Sequence, residues 1–116
     1  NRVAVIDGHT VSVSLELARP TDPETAEAIL RAYAAPESAR ELPSSPRPVI
    51  SVRSEADRPQ PRLARLTGKG MTTVVGRVRR DPILDLKFVV LSHNTIRGAA
   101  GGSIYNAELL VNENLL

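Results

Sequence analysis

The chain has 116 residues, enough for one domain that buries roughly two thirds of its unfolded surface. Its 15 Lys and Arg face 13 Asp and Glu, a net +2 mixed along the chain, and Tyr33, Phe88 and Tyr105 are its aromatics, so the clustered cations and stacking platforms of a nucleic-acid binder are missing. No apolar run approaches the length of a membrane span, the absence of cysteine excludes a disulfide framework and a thiolate metal site, and two histidines without clustered carboxylates argue against zinc.

The text opens at Asn1 without a methionine, and strand-like residues begin at Val3, so it reads as a piece of something larger. Val3 to Ile6 form a short apolar run. Asp7-Gly8 then favours a turn or bulge, because glycine accepts a positive φ. From Thr10 to Leu17, Val11, Val13, Leu15 and Leu17 alternate with Thr10, Ser12, Ser14 and Glu16, the period of a half-buried strand.

Thr21-Asp-Pro-Glu24 carries the signals of a helix start: an oxygen to cap free N–H groups, a proline in the first turn and an acid near the positive end of the dipole. Ala26, Ile29, Leu30 and Tyr33 give that helix one apolar stripe, to about Ala34. Four prolines interleaved with serine make Ala35 to Pro48 an irregular connection with too few apolar residues for a core.

Val49 to Val52 reads as a short strand. The prolines of Asp57-Arg-Pro-Gln-Pro-Arg-Leu63 forbid regular pairing, and the glycines of Thr67-Gly-Lys-Gly70 add two flexible points to a long polar loop. Strands at about Thr72 to Arg79 and Leu84 to Leu91 flank Arg80-Asp-Pro82, which suits a hairpin.

The last element, about Thr95 to Leu110, passes through Gly98-Ala-Ala-Gly-Gly-Ser103. Glycine weakens a helix by roughly 1 kcal/mol relative to alanine, so the small side chains point to close approach of another element or a ligand. The order of elements indicates an α+β fold, a mixed or antiparallel sheet with helices mainly on one face.

Two places could carry chemistry. Arg2 and His9 flank the Asp7-Gly8 turn, a spacing that brings a cation and an imidazole to one end of the sheet: a guanidinium grips a carboxylate bidentately, and imidazole exchanges protons near neutral pH. Spacing alone equally describes two ordinary strand-edge surface residues. The second place is Ser92-His-Asn-Thr-Ile-Arg-Gly, where a strand ends and a small-residue helix begins. Free N–H groups there favour anions and Asn94 offers both a donor and an acceptor, while the plainer account is an Asn or Thr N-cap.

Four ordered blocks go further. Asn-Arg-Val-Ala-Val-Ile-Asp-Gly-His-Thr, Asp-Arg-Pro-Gln-Pro-Arg-Leu, Gly-Met-Thr-Thr-Val-Val-Gly-Arg-Val-Arg and Leu-Asp-Leu-Lys-Phe-Val-Val-Leu-Ser-His-Asn-Thr-Ile-Arg-Gly-Ala-Ala-Gly-Gly together resemble the archaeal and fungal branch of the aspartate-semialdehyde dehydrogenases. The likeness covers nearly the whole chain apart from the Pro/Ser-rich segment.

That resemblance implies a role at each matched position. Arg2 stands where the family binds the substrate carboxylate, His9 where it has its acid-base catalyst, and Asn94 where it touches NADP. Gly98 to Gly102 would let the last helix lie close to the nucleotide-binding domain. Residues 1–116 then form part of the C-terminal substrate-binding and dimerisation domain, and the family's N-terminal Rossmann domain and catalytic cysteine are absent from the chain.

The implied reaction is NADPH-dependent reductive dephosphorylation of L-aspartyl-4-phosphate to L-aspartate-4-semialdehyde, in a cytoplasmic homo-oligomer (dimer or tetramer) of lysine, methionine, threonine and isoleucine biosynthesis. Neither metal nor membrane enters it, and this chain alone would be inactive. A Lys or Arg is expected at the phosphate, with Lys69, Arg62 and Arg65 unassigned. The alternative is a non-catalytic binding or assembly module derived from the same domain.

Overall fold

The computed structural model describes residues 3–116. Four strands form one mixed sheet in the order β1-β4-β3-β2, where β1 is His9–Leu15, β2 Ile50–Arg53, β3 Thr73–Arg80 and β4 Leu86–Ser92. β4 pairs antiparallel with β1, from His9 opposite Ser92 to Leu15 opposite Leu86, and antiparallel with β3. β2 joins β3 in parallel, Ile50 beside Thr73. The expected α+β class with a mixed sheet is what the chain adopts.

Chemistry explains the strand positions. Leu86 to Leu91 reads as a nearly continuous apolar run with Lys87 as its one polar member, and it takes an inner position flanked on both sides. In β3 the successive residues Val74, Val75 and Gly76 are all buried, so both faces of the sheet are covered there. Val74 and Leu91 are register partners with no exposed surface, and Ala64 completes their cluster. Past Gly76 the β3–β4 register shifts through a bulge at Arg77, whose φ is 57°. Gly76 itself must be glycine: a Cβ there would stand 2.6 Å from the Arg58 carbonyl oxygen.

The first helix, α1, is Pro23–Ala32, inside the expected span. Asp22 caps it, accepting from the Thr25 amide at 2.7 Å and the Thr25 hydroxyl at 2.8 Å. Arg31 anchors the other end by donating to the Val52 carbonyl at 2.8 Å. Its stripe is only partly covered, for Ile29 and Tyr33 remain exposed. Residues 3–8 differ from the apolar run's promise in the same way: they are irregular, and Val3, Val5 and Ile6 face outward.

The Pro/Ser-rich segment departs most from expectation. It contains a short helix, α2 (Glu37–Arg40), and buries Ala35, Ala39, Leu42 and Pro46. What covers it is the last helix, α4 (Gly101–Asn112), which follows a π-helical turn at Ile96–Ala100. Tyr105 donates to the Ala39 carbonyl, and Glu108 accepts from the Ser44 amide at 2.9 Å and hydroxyl at 2.7 Å. The segment expected to be coreless is therefore half of an interface.

The long loop also holds structure. Pro61–Ala64 forms a helical turn, α3, which delivers Ala64 to the core. Gly68, Lys69 and Gly70 follow with φ of 56°, 57° and 83°, a left-handed run that reverses the chain into β3. Among the described residues no helix is long and apolar enough to cross a membrane.

Candidate functional site

The end of the sheet where β1 starts and β4 stops gathers the chemistry. Gly8 precedes β1 with φ of 112°, and a Cβ on it would lie 3.1 Å from Pro61 Cβ and 3.6 Å from Arg65 Cβ, so the chain passes tightly over α3. On its other side the Gly8 amide donates to Asn94 Oδ1 at 3.0 Å. His9 follows at once, solvent-exposed, as the first residue of the ladder and directly opposite Ser92. Opposed residues of an antiparallel pair present their side chains on one face, roughly 5 Å apart at Cβ.

Sequence reasoning proposed His9 and Asn94 separately, and the fold makes them neighbours through Gly8. Arg2 lies outside the described residues. Ser92 was not singled out: its hydroxyl is buried, has no hydrogen-bond partner among the described residues, and faces the candidate imidazole across the ladder. Strand register was the missing information, since nothing local in the text pairs residue 9 with residue 92.

Neither Asn94 nor Thr95 caps the terminal helical run. The acceptor there is the ring of buried His93, whose Nδ1 lies 3.3 Å from the Thr95 amide and 3.2 Å from the Ile96 amide. The Gly98 amide adds a bond to the His93 carbonyl at 3.0 Å. His93 is thus occupied structurally, which leaves the Asn94 side chain exposed and free to reach Gly8.

The glycines nearby divide by purpose. Gly101 meets the chain itself, because a Cβ would come within 2.6 Å of Met71 Sδ and 3.0 Å of the Ile96 carbonyl oxygen. Gly98 has only an ordinary 3.6 Å neighbour, and Ala99 and Ala100 are exposed beside it. Of the unassigned cations, Arg65 adjoins Gly8. Lys69 lines a separate cleft of about 450 Å³ with Ser44, Arg47, Met71 and Gly101. Arg62 is exposed on α3.

Two carboxylates show perturbed acidity, and both brace the scaffold. Asp81, in the β3–β4 turn, is held below the ordinary 3.8 first by the Ile83 and Leu84 amides and then by the Ser14 hydroxyl. Asp22 is lowered chiefly by the Thr25 amide it caps.

Comparison with known proteins places this chain in a family. Residues 1–97 match the model of the semialdehyde dehydrogenase dimerisation domain. The chain is 50% identical over 116 residues to the aspartate-semialdehyde dehydrogenase of Archaeoglobus fulgidus, covering all of this chain and 33% of that protein. Its fold superposes with a TM-score of 0.88 on the crystal structure of the Candida albicans aspartate-semialdehyde dehydrogenase with NADP, at 48% identity, covering 99% of this chain and 33% of the other. Aspartate-semialdehyde dehydrogenase II from Vibrio cholerae, complexed with ASA, matches at TM-score 0.71 and 29% identity over 95% of this chain and 29% of its own. The chain spans about a third of the length of the curated relatives it matches. It belongs to the semialdehyde dehydrogenase dimerisation-domain family, and the relatives it matches are aspartate-semialdehyde dehydrogenases.

Proposed function

We propose that this chain is the C-terminal substrate-binding and dimerisation part of a cytoplasmic aspartate-semialdehyde dehydrogenase, in which His9 is the acid-base catalyst of L-aspartyl-4-phosphate reduction for lysine, methionine, threonine and isoleucine biosynthesis. The single observation that carries it is the placement of His9: an exposed imidazole at the head of β1, preceded by a glycine fixed from both sides by Asn94 and α3. A general acid-base needs such a rigid mount and access to solvent or substrate.

The reaction needs a thiolate from elsewhere in the full-length protein, because this chain has no cysteine. That thiolate attacks the acyl phosphate and phosphate leaves, giving a thioester. NADPH, when bound, supplies the hydride that reduces it. His9 takes the thiol proton in the first half and returns a proton when the hemithioacetal collapses to aldehyde and thiol. An imidazole suits both because it exchanges protons near neutral pH. Arg2, seven residues before it, holds the α-carboxylate as a planar fork.

The residues present fit one edge of a nicotinamide cofactor. Asn94 keeps its Nδ2 as a donor, and exposed Gly98, Ala99 and Ala100 leave space for a flat or phosphorylated group to approach. A homo-oligomer goes with the same reading. The molecule measures 48 × 36 × 19 Å with a radius of gyration of 15.4 Å, against about 13 Å for a compact chain of this length, so it is a slab with broad faces to cover.

The test is an assay of the full-length protein in the oxidative direction. NADP reduction should require aspartate semialdehyde and inorganic phosphate together. Dimerisation without any turnover would favour the alternative, an assembly module derived from the same domain.

A further inference from the structure

We infer that Asn94 is a positioning residue for His9, acting through the backbone of Gly8. The inference rests on the reading of His9 as the acid-base catalyst and adds what holds it in place.

The β1–β4 ladder has its last rung at His9 and Ser92. One residue before β1 is Gly8, and two residues past the end of β4 is Asn94. The backbones have parted by then, because residues 93–95 turn into the terminal helical run under the His93 cap. Asn94 Oδ1 bridges the gap by accepting from the Gly8 amide at 3.0 Å, a side chain supplying the rung that the main chain cannot.

The opposite side of Gly8 is closed as well. Pro61 and Arg65 lie so near its Cα that a Cβ would stand 3.1 Å from Pro61 Cβ. With φ at 112°, Gly8 occupies a region that few other residues enter, so the direction in which β1 leaves it is set by these two constraints. His9 is the next residue. Releasing the amide frees Gly8 to rotate and carries the imidazole with it, and a displacement of about 1 Å at a reacting group can cost on the order of 100-fold in rate.

The chemistry divides the carboxamide between two jobs. Oδ1 is committed to Gly8, and Nδ2 has no hydrogen-bond partner among the described residues. A cofactor contact would therefore use Nδ2 alone, so Asn94→Asp and Asn94→Ala separate the roles. Aspartate keeps the acceptor and removes the donor. Alanine removes both.

The experiment measures kcat and KM for NADP across pH in the full-length protein, for these two variants and His9→Asn. Positioning predicts that Asn94→Ala lowers kcat at saturating NADP by about 10- to 100-fold. Asn94→Asp, which keeps the acceptor and loses the donor, should raise KM for NADP yet recover most of the kcat that Asn94→Ala loses. Should Asn94→Ala fail to fold, Asn94→Leu, close in volume and without the acceptor, replaces it with the same expected loss of kcat. If both variants raise KM for NADP while kcat stays at the wild-type value, Asn94 serves the cofactor alone and the inference is overturned. If His9→Asn keeps full activity, it is the catalytic reading that fails; a dead His9→Asn beside an unaffected Asn94→Ala overturns the positioning role only.

Discussion

Tyr105 donates its hydroxyl hydrogen to the Ala39 carbonyl at 2.9 Å, and Ser45 Oγ lies 3.3 Å from the Tyr105 hydroxyl oxygen, so one side chain of α4 fastens a segment sixty or more residues earlier. Tyr105→Phe keeps the ring and its stacking under Arg97, whose guanidinium carbon lies 5.9 Å from the ring centroid, but loses that anchor. The expected cost is about 1 kcal/mol, the usual worth of one net hydrogen bond, read as a lower urea midpoint with unchanged slope. An unaltered midpoint would show that α4 does not need the tie.

The same contact explains what the sequence hid. Strands β1, β3 and β4 were legible because period-two alternation and apolar runs are local signals, and Asp22-Pro23 announced α1. Ala35, Ala39, Leu42 and Pro46 are spaced four, three and four apart, but the prolines at 36, 43, 46 and 48 break any helix that would carry that stripe. They are buried because Tyr105 and Glu108 arrive from the far end of the chain. At the site, His9 and Asn94 stood out by residue type, but their connection through Gly8 depends on strand register, which no local pattern encodes. His93 escaped notice as a cap because an imidazole acceptor is absent from the usual N-cap set.

Gly76 offers a sharper test of packing. A methyl group at this buried position would press on the Arg58 carbonyl oxygen, which is backbone and cannot rotate aside. Gly76→Ala should therefore destabilise the fold by about 1–3 kcal/mol, the range for overpacking, despite the usual preference for alanine over glycine in ordered structure. Thermal unfolding that shows equal or greater stability would mean the loop at residues 57–60 moves freely away from β3.

Acid should loosen the scaffold through Asp22 and Asp81. Both carboxyls are lowered in the folded state, so each stabilises the fold fully above the ordinary value of 3.8, and that support is lost as pH falls from there through the folded values. Urea midpoints measured from about pH 5 downward should fall less steeply in Asp81→Asn and Asp22→Asn than in the parent chain. Parallel curves would assign the acid sensitivity to other groups.

Replacing His9 alone in the full-length protein asks whether its imidazole moves protons at a reacting centre. With inorganic phosphate, NADP and aspartate semialdehyde saturating, His9→Asn should lower kcat by about 10²- to 10⁴-fold, the worth of a placed general acid-base, while circular dichroism and oligomeric state stay as in the parent. A kcat within twofold of the parent would show that His9 moves no proton in the reaction and return it to the surface of an ordinary edge strand.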